Sequence, residues 1–118
     1  MIKAYFVMRT DLNMPPAKLA VQVGHGVQRL MEKVDHYTLQ DWKEFSDSRK
    51  IVVQCSSDEK LQNLLNVFKD EILTCEIWDS GYTVFNGKTR TGICFMYNDD
   101  DKNLFVEKKI KRLQLWKD

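Results

Sequence analysis

The sequence predicts a three-layer α/β/α domain in which strands and helices follow the order β-α-α-β-α-β-β-α. Short apolar runs alternate with longer segments of helical periodicity, so helical crossovers join the strands and favour a mostly parallel sheet covered on both faces. A chain of 118 residues fits one domain, spanning 1–118, and can bury a core without disulfide or metal staples. Gly (5) and Pro (2) are sparse, and 43% hydrophobic beside 30% charged residues exclude disordered and fibrous classes.

The elements follow in order. Ala4 to Met8 is a nearly continuous apolar run, as expected of a strand covered on both faces. Arg9 to Met14 is polar and ends at Pro15-Pro16, a pair suited to a first helical turn. From there to about Val34, the residues Leu19, Val23, Val27, Leu30 and Val34 form one narrow stripe, the expected core face. A second helix is expected from Thr38, burying Leu39, Trp42 and Phe45, and Lys50 to Cys55 then reads as a strand. Ser56 and Glu59 have the spacing of a capping box ahead of Leu61, Leu64, Leu65, Phe68 and Ile72. Cys75 to Trp78 gives a third strand, closed by the turn former Asp79-Ser80-Gly81. Asn86-Gly87 marks another turn before a fourth strand over Thr91 to Tyr97. Asp99-Asp100-Asp101 suits the positive end of a last helix carrying Val106, Ile110 and Leu113.

Composition narrows the function classes. A formal net charge of +1 argues against a protein that coats nucleic acid electrostatically, although a local basic patch is compatible with it. No run approaches the ~18 apolar residues that span a bilayer. The N-terminus has no ordered basic, apolar and small-residue regions of a signal peptide, so a cytoplasmic protein is expected. The three cysteines, Cys55, Cys75 and Cys94, form no CxxC pair and are expected to be buried thiols.

The first helix carries the sharpest anomaly. Lys18, Gln22, His25 and Arg29 make a second stripe beside the apolar one, and Lys18 lies in the first turn, where the helix dipole disfavours a cation. A lysine with unpaired first-turn N–H groups makes a site for an anion or a developing oxyanion; the same spacing also fits a solvated face. Asp79 stands where the third strand ends, with Thr83 four residues on. In open α/β sheets, ligands bind beyond the carboxyl ends of strands, but an Asx turn would use the same residue. Asp11, after the first strand, admits the same two readings.

Arg9-Thr10-Asp11-Leu12-Asn13-Met14, followed by Lys18, Ala20, Gln22 and His25, resembles the opening motif of the type 2 (archaeal/eukaryotic) peptidyl-tRNA hydrolases. That motif reads Asp-Leu-x-Met, then Gly-Lys-x-Ala-Ala-Gln-x-x-His. Asp79-Ser80-Gly81-Tyr82-Thr83 is similar to the family's Asp-Ala-Gly-Arg-Thr, and Leu113-Gln114-Leu115-Trp116 to its closing Leu-Lys-Leu-Tyr. The resemblance spans the chain and is loosest between about Glu32 and Arg49. It implies a four-stranded mixed sheet with helices on both sides, a homodimer, and hydrolysis of the ester joining a peptide to the 3′ ribose of tRNA. No metal or organic cofactor, membrane or DNA partner is implied.

Ala17 stands where the family has glycine, Val21 where it has the second alanine, and Tyr82 where it has arginine. The resemblance points to Lys18, Asp79 and Thr83 as the central group, with Gln22 and His25 close by. The reaction needs oriented water, oxyanion stabilisation and protonation of the leaving oxygen. Asp79 is expected to position and deprotonate water, Lys18 to serve the oxyanion or leaving group, and Thr83 to hold water or substrate. His25 is the alternative base, since an unperturbed imidazole titrates near ~6.5. Asp11, Tyr82, Arg29, Lys88 and Arg90 are expected to meet substrate, the cations through phosphates. Two other functions stay open: a weakly catalytic relative that binds tRNA or a protein, and an esterase that removes a mischarged amino acid from tRNA.

Overall fold

The computed structural model describes residues 1–82, 85 and 87–118, so Asn86 of the expected Asn86-Gly87 turn lies outside the described residues. The chain runs β1 (Ile2–Arg9), α1 (Pro16–Lys33), α2 (His36–Glu44), β2 (Lys50–Cys55), α3 (Asp58–Phe68), β3 (Thr74–Asp79), β4 (Thr89–Asn98), a 3-10 turn (Asp99–Asp101), α4 (Leu104–Lys111) and β5 (Gln114–Leu115). The expected α/β architecture is present, but the sheet has five strands, ordered β3-β4-β1-β2-β5.

β5 was not anticipated. Two residues are too short for any periodicity, and they are held by the antiparallel register Val53↔Leu115 and Gln54↔Gln114. The sheet is also less parallel than the crossovers suggested. β1, β2 and β3 do run the same way, but β4 returns from β3 and inserts between β3 and β1. Among the described residues β1–β2 is therefore the one parallel pair, while β1–β4, β3–β4 and β2–β5 are antiparallel.

Alternation along the central strands builds two cores. Ile2, Ala4, Phe6 and Met8 of β1 and Cys94 and Met96 of β4 meet Leu30 of α1 and Trp42 of α2. Tyr5, Val7, Ile93, Phe95 and Tyr97 face Leu61, Leu65 and Phe68 of α3 and Val106 of α4. Phe95 stacks between Tyr5 and Phe68, with ring centroids 5.4 and 4.4 Å away. Both faces of β1 are thus apolar, which accounts for its unbroken hydrophobic run.

Three local expectations are corrected. The α3 cap is Ser57, whose side chain accepts from the Lys60 amide, so the box read from Ser56 is one residue out of register. α2 starts at His36 because the Asp35 carboxylate accepts the Thr38 N–H, and Phe45 at its end is 78% exposed. In α1 the buried line is Gln22, Gly26 and Leu30, with Leu19, Val23, Val27 and Val34 packed beside it. Glycine and glutamine do not register as core residues in a hydrophobic periodicity, so the apolar stripe marked one flank of the true face. Gly26 leaves room there: a Cβ would lie 2.8 Å from Ile77 Cδ1 and 3.0 Å from the Phe6 ring, so both side chains would have to shift. The helix therefore sits so close to the sheet that a side chain at this position would displace Ile77 and Phe6.

Candidate active site

The common direction of β1, β2 and β3 places their carboxyl ends on one edge of the sheet. There the loop after β1 delivers the start of α1, and β3 ends at Asp79. Pro15 and Pro16 open α1 with preset backbone angles; Pro15 at the N-cap offers no side-chain cap, and the first turn holds no acid. The positive end of the helix consequently faces this edge with Lys18 in its first turn.

Asp79 is buried, at 5% exposure, and among the described residues draws three donors. Lys18 Nζ lies 2.6 Å from Oδ1, Gln22 Nε2 donates to Oδ1 at 3.0 Å, and the Gly81 amide donates to Oδ2 at 2.9 Å. Gly81 can turn its N–H back to the carboxylate because it adopts φ +86, and a Cβ there would also strike the Gly87 backbone. Behind this group, the Thr91 hydroxyl donates to Gln22 Oε1 at 2.8 Å. Thr91, Gln22 and Asp79 thus form a buried polar relay running from β4 through α1 to β3. Burial by itself pushes the Asp79 carboxyl up, but Lys18, the Gly81 amide and Gln22 outweigh it and hold it below the usual carboxylate range.

A cleft of about 460 Å³ opens over the pair, lined by residues that include Ala17, Lys18, Val21, His25, Asp79 and Tyr82. Lys18 Nζ also stands 5.6 Å from the Phe85 ring centre. Tyr82 is 92% exposed at the cleft wall, its ring accessible to a ligand. The arrangement presents a cation held by a buried carboxylate beside a partly apolar recess. Such a recess can accept a group bearing developing negative charge.

The structure therefore gathers Lys18, Gln22, His25, Asp79 and Tyr82. Thr83 lies outside the described residues. Arg29 is exposed one turn beyond His25 and stands 3.6 Å from Glu32. Asp11 is held by Arg9 through a two-pronged contact at 3.0 and 2.7 Å, and that hydrogen-bonded arginine keeps its carboxyl low. Lys88 is exposed over the Trp78 ring at 5.1 Å. Arg90 departs furthest from its expected place: its guanidinium is only 9% exposed and binds Asp58, Gln62 and Glu76 at 3.0, 2.8 and 2.9 Å. Those contacts tie β4 to α3 and β3 and leave it little reach toward a phosphate. Thr91 was missed, although an aliphatic hydroxyl at the head of the largely apolar run from Thr91 to Tyr97 was its visible signal. Among the described residues, no cluster of three or more His, Cys, Asp or Glu could hold a metal ion.

The chain matches the family model described as Peptidyl-tRNA hydrolase PTH2 over residues 2–115. A protein of Haloquadratum walsbyi named peptidyl-tRNA hydrolase is 32% identical over 104 residues, covering 87% of this chain and 91% of that protein. Proteins of the same name from Methanocaldococcus jannaschii and Methanothermobacter thermautotrophicus are 27% and 26% identical; each match covers 86% of this chain and 90% of the relative.

Proposed function

The chain belongs to the PTH2 family of peptidyl-tRNA hydrolases, and on that premise we propose that it cleaves the peptide–tRNA ester in the cleft above Lys18 and Asp79. One observation carries the placement: a 2.6 Å lysine–carboxylate pair, nearly enclosed, forms the wall of a recess at the carboxyl edge of the sheet.

The division of labour follows from the electrostatics. Lys18 supplies the positive charge for the tetrahedral oxyanion, because its ammonium is fixed before the substrate arrives and needs no reorganisation as charge develops. Asp79 holds that ammonium through Oδ1. Its Oδ2, which accepts from Gly81, retains a second lone pair with which to orient the attacking water. A carboxylate held below its ordinary range is a poor base near neutral pH, so Asp79 orients water and does not carry the proton away. His25, on the same cleft wall, takes that proton. Gln22 keeps Asp79 in register, and Thr83 is retained as a substrate or water ligand through the family motif. Tyr82 receives the unpaired 3′ end of the tRNA, whose bases stack on aromatic rings.

Residues 1–118 act under this proposal as one catalytic domain on peptidyl-tRNA, in the cytoplasm and as a homodimer. Among the described residues, no helix is long and apolar enough to cross a membrane. Sedimentation at micromolar concentration tests the dimer. The reaction is tested by release of N-acetyl-aminoacyl groups from tRNA beside release of unblocked aminoacyl groups. Turnover of the blocked ester, lost in Lys18→Ala, is the expected result. Turnover only of the unblocked ester would make the protein a deacylase, and turnover of neither would leave a binding module.

A further inference from the structure

Cys75 of β3 and Cys94 of β4 are direct partners in the antiparallel register. Both face α1: Cys94 is part of the buried core beneath that helix, and Cys75 packs against it while partly exposed. Directly opposed residues in such a pair hold their Cβ atoms roughly 4.5–5.5 Å apart. A disulfide needs about 3.8 Å, a small closure for an edge strand such as β3. The Cys94 thiol donates to the Gly26 carbonyl at 3.6 Å, which fixes its sulfur beneath α1. Cys55 packs with the other core, on the α3 face, and has no comparable neighbour among the described residues. The hydrolytic site uses none of the three.

We propose that Cys75 and Cys94 form a peroxide-responsive thiol pair, with Cys75 the sulfur that attacks the oxidant and Cys94 the one that resolves it into a disulfide. The roles follow first from access: Cys75 is partly open to solvent, whereas Cys94 is buried beneath α1. The neighbouring Cys94 thiol brings Cys75 down to about 7, with Lys33 and Arg29 of α1 adding positive charge against the opposing effects of burial and Glu32. Cys94 is pushed far up by its partner and by burial, so it keeps the proton. A partly exposed thiolate in a cationic setting is the reactive kind.

The chemistry balances. The Cys75 thiolate attacks one oxygen of hydrogen peroxide, the O–O bond breaks, and a sulfenic acid forms as hydroxide leaves. Hydroxide takes the Cys94 proton to give water; the Cys94 sulfur then attacks the Cys75 sulfur and displaces hydroxide, which departs as a second water with the solvent proton first released by Cys75. Two thiols and one peroxide yield one disulfide and two waters.

The test is peroxide treatment of the whole native protein, followed by alkylation in denaturant and tryptic mass spectrometry without reductant. Peptides 70–88 and 91–102 should appear joined with two hydrogens lost, about tenfold faster than Cys55 is modified, as befits the more ionised thiol. In Cys94→Ala, dimedone should instead label Cys75 as its sulfenic acid, with folding checked by circular dichroism. The proposal is overturned if Cys75 and Cys94 stay alkylatable at peroxide levels that oxidise glutathione. It is equally overturned if Cys55 reacts first, or if the bond forms between chains. Because the readout is covalent, it is independent of hydrolytic activity.

Discussion

Asp79→Asn strikes the centre of the site, and its cost follows from the donors that converge there. Lys18 Nζ and Gln22 Nε2 meet Oδ1 at 2.6 and 3.0 Å, and the Gly81 amide meets Oδ2 at 2.9 Å. An asparagine accepts at one terminal atom only. With its oxygen toward Lys18 and Gln22, its NH₂ opposes the Gly81 N–H; flipped, it opposes the other two donors. The charge also matters, since the Lys18 and Asp79 side chains are 11% and 7% exposed. Breaking one side of an enclosed pair costs about 3–5 kcal/mol; Lys18 borders an open cleft and can regain some hydration, which places the value near ~3. At about 4 °C per kcal/mol for a domain of this size, Tm should fall by about 12 °C. Urea unfolding should show a lower midpoint at unchanged slope. Under the proposed role of Lys18 toward the oxyanion, kcat on N-acetyl-aminoacyl-tRNA should drop about 10²–10³-fold. The pH signature has a fixed sign. A carboxyl lowered in the folded state stabilises above its unfolded value near ~3.9, and that contribution is lost as pH falls through the lower folded value. The stability gap between wild type and variant should be full at pH 7 and close below about pH 4. A variant with wild-type midpoint and near wild-type kcat would refute the role of the pair in both stability and catalysis.

Three further outcomes are expected. Gly26→Ala gains about 1 kcal/mol of helix propensity but drives a methyl to within 2.8 Å of Ile77 and 3.0 Å of Phe6. With overpacking costing about 1–3 kcal/mol, scanning calorimetry should show a lower Tm; a higher one would mean α1 can recede freely. Tyr82→Ala should raise KM for peptidyl-tRNA by roughly tenfold or more with kcat little changed, in keeping with ~1–3 kcal/mol per stacked base, whereas Tyr82→Arg should restore affinity. At 92% exposure Tyr82 has little packing to lose, so unchanged KM with a lower Tm would contradict the stacking role. Binding of tRNA should weaken with salt at a log–log slope near −2 to −3, for ~3 phosphate contacts. Lys88→Gln should flatten that slope by about one while Arg90→Gln, already engaged inside the fold, leaves it unchanged; the reverse pattern would misplace the phosphate path.

The sequence exposed what periodicity and end signals can carry. Strand β1 appeared because both its faces are apolar, and Lys18 and Asp79 appeared because each breaks or ends a local pattern: a cation in a first turn and an acid at a strand terminus. Three kinds of feature stayed hidden. β5 is too short to have a period, and only its pairing with Val53 and Gln54 makes it a strand. The insertion of β4 between β3 and β1 is a long-range choice that no local signal encodes. The buried line of α1 passes through Gln22 and Gly26, residues that a hydrophobic pattern assigns to solvent. Arg90 was legible as a cation but not as one already neutralised by Asp58 and Glu76, because those partners lie 32 and 14 residues away along the chain.

The hidden line is what couples packing to chemistry. A buried glutamine must find partners for its whole amide or cost stability, and Gln22 finds them in Thr91 on one side and Asp79 on the other. One turn later, Gly26 fixes how closely the same helix approaches Ile77, two residues before Asp79. The spacing of four residues between Lys18, Gln22 and Gly26 therefore aligns ammonium, amide and close contact on one face of α1. A slip of the helix by a single residue would rotate that face by about 100° and remove all three from Asp79 and Ile77 together. The closeness of the Lys18–Asp79 pair is in this sense a property of how α1 seats on β3, and substitutions under the helix should disturb hydrolysis without touching the cleft.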